Sequence, residues 1–230
     1  MRPVHKTVYN VVQMEITEKH ISFLKTARYF IAGNPSAQTK NVWIVIHGYG
    51  QLAGNFIKQF DFLLSDETIV IAPEGLSKFY TTSAGNVIGA SWMTKEDRDN
   101  EIKDYIGCLD SVLAAVLHEV NNPILKINLL GFSQGVHTAA RWFINSSNKF
   151  EALFLCSSDF PQDADFEKLK TKLETSKMFY VYGDSDNVIS QASFEKSVNM
   201  LKEKKIDFET IVFEGKHIIH PATIKRLAGL

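Results

Sequence analysis

From residue 42 onward, short unbroken apolar runs alternate with longer segments whose apolar residues recur every three to four positions. That rhythm constrains the fold more than any other feature of the chain. Val42 to Ile46 reads VWIVI, which lacks the polar alternation of a half-exposed strand and suits a strand covered on both faces. Phe56, Ile57, Phe60, Leu63 and Leu64 then follow at helical spacing, and Thr68 to Ala72 makes the next buried strand. The pattern continues with a helix through Ile102 to Leu117, a strand over Lys126 to Leu130, a helix over Gln134 to Ile144 and a strand over Ala152 to Cys156. Further on it predicts a short helix over Phe166 to Leu173, a strand over Met178 to Tyr182, a helix capped by Ser190, a strand over Phe208 to Phe213 and a closing helix begun by Pro221. Strands joined through helices run parallel, so the expectation is an α/β fold: a mostly parallel sheet with helices on both faces.

Two β-rich stretches precede this region. Lys6 to Met14 and Ile21 to Ile31 predict an antiparallel hairpin that extends one edge and brings the sheet to about eight strands. Neither a repeat nor a linker divides the chain, so a single domain over residues 1–230 is expected. Gly75 to Asp99 is less regular and too long for a simple turn; its Phe79, Tyr80, Trp92 and Met93 are candidates for the wall of a substrate pocket.

Composition narrows the class of partner. Lys and Arg number 25 against 26 Asp and Glu, a balance that offers no electrostatic footprint for nucleic acid and no polybasic patch for anionic lipid. The longest apolar run falls far short of the roughly 20 residues needed to cross a bilayer, so no stable membrane insertion is expected. The first residues show no secretory pattern and Arg2 precludes N-myristoylation. Cys108 and Cys156 have neither CxxC nor metal spacing and read as buried thiols, which favours a cytoplasmic location.

The sharpest chemical signal is Gly131-Phe132-Ser133-Gln134-Gly135, where a strand gives way to a helix. A serine on such a turn is lifted above the sheet, and small residues on either side permit the strained geometry. A serine hydroxyl needs a base to take its proton, and that base needs a third group to orient it. Both appear at later strand ends: Gly183-Asp184-Ser185-Asp186 offers the carboxylate and Gly215-Lys216-His217 the imidazole. Asp186, two residues beyond Asp184, has more freedom to reach across, whereas Asp184 suits a turn-stabilising role. His217 is the base, and His220, before Pro221, helps begin the last helix. His137 is read as a packing or surface residue on the helix after Ser133, and His5, His20 and His118 form no metal pair, so no metal is proposed.

His47-Gly48-Tyr49-Gly50 follows the first buried strand and is placed to give one oxyanion donor, the N–H of Tyr49; the N–H of Gln134 gives the other. His47 itself reads as a structural support. The same stretch, residues 48–53, also fits a GxGxxA dinucleotide turn, with Glu74 as a ribose-binding acid. A further alternative keeps the fold as a ligand-binding module without turnover.

HGYG at 47–50, APEG at 72–75, Trp92, GFSQG at 131–135, GDSD at 183–186 and GKH at 215–217 together resemble the carboxylesterase and phospholipase family of α/β hydrolases, which includes acyl-protein thioesterases. The resemblance runs from about residue 42 to the C-terminus. It implies a Ser133, Asp186 and His217 triad, Tyr49 and Gln134 amides in the oxyanion hole, an ester or thioester substrate and no cofactor. Departures are Val136-His137 after the motif, Tyr182 before Gly183, Ile189 in place of a proline and Lys216 before His217; of these, Val136 and Ile189 bear on the pocket near the nucleophile. With no stretch long enough for a large lid, short or medium acyl esters are the expected substrates.

Overall fold

The computed structural model describes residues 14–230. Its central sheet has seven strands: β1 (Tyr29–Ala32), β2 (Asn41–Ile46), β3 (Thr68–Pro73), β6 (Lys126–Phe132), β7 (Ala152–Cys156), β8 (Lys177–Gly183) and β9 (Glu209–Phe213). They lie in the order β1-β3-β2-β6-β7-β8-β9, with β1 antiparallel to β3 and all other pairs parallel.

The unbroken apolar runs are explained by cover on both faces. Val42, Ile44 and Ile46 point into one core with residues of α2 (Arg98–Val120), α3 (Gln134–Asn145), α4 (Phe166–Leu173) and α5 (Gln191–Glu203). Trp43 and Val45 point the other way, onto α1 (Ala53–Phe56), the following 3-10 helix Ile57–Leu63 and α6 (Pro221–Ala228). Period-two alternation within each strand therefore loads both cores. Ser190 accepts the Ser193 N–H as the N-cap of α5, and Pro221 opens α6. α2 stops at Asn121, which adopts the left-handed conformation with φ 46° and returns its N–H to Leu117 O.

Two expectations need correction. Of the N-terminal hairpin, Lys6 to Gln13 lies outside the described residues, and Ile21 to Arg28 carries no strand; only Tyr29–Ala32 pairs, with β3 rather than with an earlier strand. Apolar alternation gives Ile21, Phe23 and Leu24 strand propensity, but a strand also needs a ladder partner, and these side chains are exposed. The described sheet thus has seven strands and not eight. The stretch Gly75 to Asp99, expected to be irregular, contains β4 (Ser77–Tyr80) and β5 (Ile88–Ser91), an antiparallel pair. It is tied to the turn after β2 by Gly50 N–H to Ala90 O at 2.9 Å and Ala90 N–H to Gln51 O at 3.2 Å.

Candidate active site

Every chemically active residue singled out in the sequence follows the C-terminal end of a strand, the edge where open parallel sheets bind ligands. Ser133 caps α3 with φ 52° and ψ −124°, a conformation that costs a side-chain-bearing residue on the order of 1–3 kcal/mol. The glycines around it are required by approach distance. A Cβ on Gly135 would lie 2.2 Å from Ile46 O, and one on Gly131 would lie 2.4 Å from Gly135 O. A Cβ on Gly48 would meet the Ser133 Cβ at 3.0 Å, so the turn after β2 rests directly against the serine. The Ser133 N–H is held by Cys156 O at 3.0 Å.

That turn is built by His47. Its Nε2 accepts the Gly75 N–H at 3.0 Å, so the proton sits on Nδ1, which donates to Gly48 O at 2.8 Å. Burial pushes the His47 pKa down, against the opposing pull of Gly48 O and Glu74, and keeps the ring neutral. The Gly48 N–H donates to Gln51 Oε1 and the Gly50 N–H to Ala90 O. Among the described residues the N–H groups of Tyr49 and Gln134 have no acceptor, which leaves two donors beside the Ser133 turn.

On the far side, the loops after β8 and β9 close on each other. Ser185 N–H donates to Gly215 O, and Asp184 Oδ1 accepts the Gly215 N–H at 3.1 Å, so Asp184 is consumed by the loop pairing. Asp186 is fully buried at its side chain; Oδ1 accepts the N–H groups of Val188 and Ile189 at 2.8 and 2.9 Å, and Oδ2 lies 2.8 Å from His217 Nδ1. Burial alone would raise this carboxyl's pKa, but those backbone donors and His217 hold it below the usual carboxylate range. The His217 ring sits 4.8 Å from that of Phe132, the residue before Ser133. The Ser133 hydroxyl makes no hydrogen bond among the described residues. His220 stacks on Phe213 and bonds Thr223 at the start of α6.

The candidate pocket residues separate. Phe79 stacks on Tyr49 with ring centroids 5.0 Å apart, Tyr80 faces outward, and Met93 is half-buried with its sulfur 3.5 Å from Arg141 Nη1. Ile189 packs against the core behind the Asp186 loop. Trp92 corrects its expectation: it is 1% exposed and donates to His47 O at 2.9 Å, so it supports the turn from beneath instead of walling a pocket. The sequence assigned Gln134 only a backbone role, yet its side chain clasps the end of β5. Nε2 donates to Ser91 Oγ and Met93 O, and Oε1 accepts the Trp92 N–H. His137, read as packing or surface, is partly exposed and meets Asp159, Nε2 to Oδ1 at 3.0 Å. No pattern in the sequence joins those two residues.

A dinucleotide reading of residues 48–53 does not fit this arrangement. The helix after the turn, α1, has four residues, too few to present a phosphate-binding N-terminus of that motif. Glu74 is buried in a bidentate pair with Arg28 at 2.7 and 3.0 Å, with Lys78 at 3.4 Å, and is not free for a ribose.

A parallel sheet covered on both faces, carrying a strained serine turn at its C-terminal edge and an imidazole–carboxylate pair on later loops, defines an α/β hydrolase. Residues 28–228 match the phospholipase/carboxylesterase family, so the chain belongs to that family and is a carboxylic ester hydrolase. No curated protein matches it. Among solved structures, esterase PE8 is similar over 88% of this chain and 98% of its own, at 21% identity and a TM-score of 0.65. Acyl-protein thioesterase 2 of Zea mays matches over 89% and 97% at 16% identity and TM-score 0.63, and a carboxylesterase of Bacillus cereus over 88% and 92% at 13% and 0.60. At these identities the likeness concerns the fold.

Proposed function

We propose that the protein hydrolyses esters, and thioesters of the same shape, through an acyl-enzyme intermediate on Ser133. In the first step His217 Nε2 takes the hydroxyl proton as Ser133 Oγ bonds to the substrate carbonyl carbon. The carbonyl oxygen becomes an oxyanion received by the Tyr49 and Gln134 N–H groups. As the intermediate collapses, the bond to the alcohol or thiol breaks and His217 returns the proton to it. Water then repeats the sequence on the acyl-serine and releases the acid. Asp186 keeps the proton of His217 on Nδ1 and stabilises the imidazolium that forms.

The observation that carries this reading is the 2.8 Å contact between His217 Nδ1 and the buried Asp186 carboxylate, at the edge where Ser133 caps α3. Short or medium acyl chains are favoured because the stretch between β3 and α2 is folded as the β4–β5 pair and bonded to Gly50 and Gln51. No described helix is long and apolar enough to cross a membrane. The two thiols, Cys108 and Cys156, are unpaired, which supports a reducing, cytoplasmic setting. A single domain acting on small substrates is part of this reading.

A fluorophosphonate probe tests it. The native chain is expected to gain one adduct by intact mass, on Ser133, and to cleave 4-nitrophenyl butanoate; Ser133→Ala is expected to do neither. An unlabelled native chain, or equal hydrolysis by both proteins, overturns the mechanism and leaves the fold as a binding module.

A further inference from the structure

A second histidine–carboxylate pair stands beside the nucleophile and takes no part in the mechanism above. His137 lies in the first turn of α3, four residues beyond Ser133, which caps that helix, a rise of about 6 Å along the axis. Asp159 approaches from β7, the strand whose last carbonyl, on Cys156, holds the Ser133 N–H. Ser157, in the left-handed conformation at φ 57°, turns the chain back toward α3 so that Asp159 Oδ1 reaches His137 Nε2 at 3.0 Å. Both side chains remain open to solvent, at 30% and 40% exposure.

The pair has a defined chemical character. An ionised Asp159 can only accept, so the shared proton is carried on His137 Nε2. The hydrogen bond from His137 holds the Asp159 carboxyl below its usual range, despite partial burial. Among the described residues Nδ1 of His137 has no partner, and Oδ2 of Asp159 has none either, Ser158 Oγ bonding Oδ1. With the imidazole neutral, the two side chains one turn from the serine present two free hydrogen-bond acceptors, Nδ1 and Oδ2, and no donor. An alkyl chain laid over them would strip their water without replacing it, whereas a hydroxyl would bond to them.

We propose that His137 and Asp159 determine specificity by accepting a hydrogen bond from a substrate hydroxyl whose carbon is two or three bonds from the scissile carbonyl carbon, so that hydroxylated esters are preferred over plain alkyl esters. This inference rests on Ser133 being the nucleophile.

Two matched pairs of substrates test it: 4-nitrophenyl 3-hydroxybutanoate against 4-nitrophenyl butanoate for the acyl side, and 2-hydroxyethyl butanoate against propyl butanoate for the alcohol side. In the native chain kcat/KM is expected to favour the hydroxylated member of one pair by about 5- to 10-fold, the size of one net hydrogen bond. His137→Ala and Asp159→Asn should erase most of that ratio, chiefly through KM, while the alkyl member changes less than about twofold. His137→Leu should invert it, and His137→Gln, which keeps an acceptor, should restore part of it. Fluorophosphonate labelling of Ser133 at the native rate in each variant keeps the result separate from the mechanism. Labelling retained with ratios near one in the native chain, or ratios unchanged by the substitutions, overturns the specificity role alone. Loss of labelling from the native chain overturns the mechanism and this inference with it.

Discussion

At the scale of single residues, the two oxygens of Asp186 have separate duties. Oδ1 is held by the Val188 and Ile189 N–H groups, which fix the carboxylate, while Oδ2 alone faces His217. Asp186→Asn should preserve the first set, because an amide oxygen still accepts from both backbone donors. Its NH2 group then faces His217 Nδ1 and forces the proton onto Nε2, the wrong nitrogen for a base. The expected outcome is a folded protein whose kcat falls on the order of 10⁴-fold, with an unchanged thermal midpoint to within a few degrees. Steady-state kinetics and a melting curve on the same preparation check it. The pairing of His217 with Asp186 rather than Asp184 was legible in the sequence, since two extra residues give reach; the reason Asp184 is unavailable, its bond to Gly215, was not.

Between elements, the Gln134 side chain is the tie that fixes β5 against the start of α3. Four of its contacts go to Ser91, Trp92 and Met93, and the same segment carries the indole that supports His47 O. Gln134→Ala retains the backbone N–H proposed for the oxyanion but loosens its surroundings. Chemical denaturation is expected to show a loss of about 1–2 kcal/mol from the unmade bonds, and fluorophosphonate labelling to slow without disappearing. Sequence periodicity located β2, β3, β6, β7, β8 and β9 and their helices to within two or three residues of their ends, except that α2 starts four residues earlier and ends three later. It missed β4 and β5 because those short strands alternate weakly and are defined by pairing with each other and with Gly50 and Gln51. It overextended β1 for the converse reason, apolar alternation without a neighbouring strand to complete the ladder.

For the whole molecule, acid should be the destabilising direction. His47 is buried and neutral with its pKa lowered, so below the ordinary histidine range the unfolded chain takes up a proton that the folded one refuses. Asp163 works in the same direction at lower pH. Burial opposes its ionisation, but hydrogen bonds from Arg141 and Arg98 keep its carboxyl far below the usual range. Its stabilising contribution is complete above the ordinary carboxylate values and is lost as pH falls through its own. The urea midpoint is therefore expected to decline in two stages, the first between about pH 7 and 5 and the second below the carboxylate range. His47→Gln, which can still accept the Gly75 N–H, should abolish the first stage and leave the second. The chain by itself determined the six parallel strands, their order of connection and the three loops that carry serine, carboxylate and imidazole, because hydrophobic period and turn residues are local properties written along the backbone. Only the tertiary structure decided that Trp92 supports rather than lines, that Gln134 clasps β5 and that His137 finds Asp159, 22 residues further along the sequence. Those contacts join residues on different strands and helices, and their distances are set by how the sheet twists and packs, which no local pattern encodes.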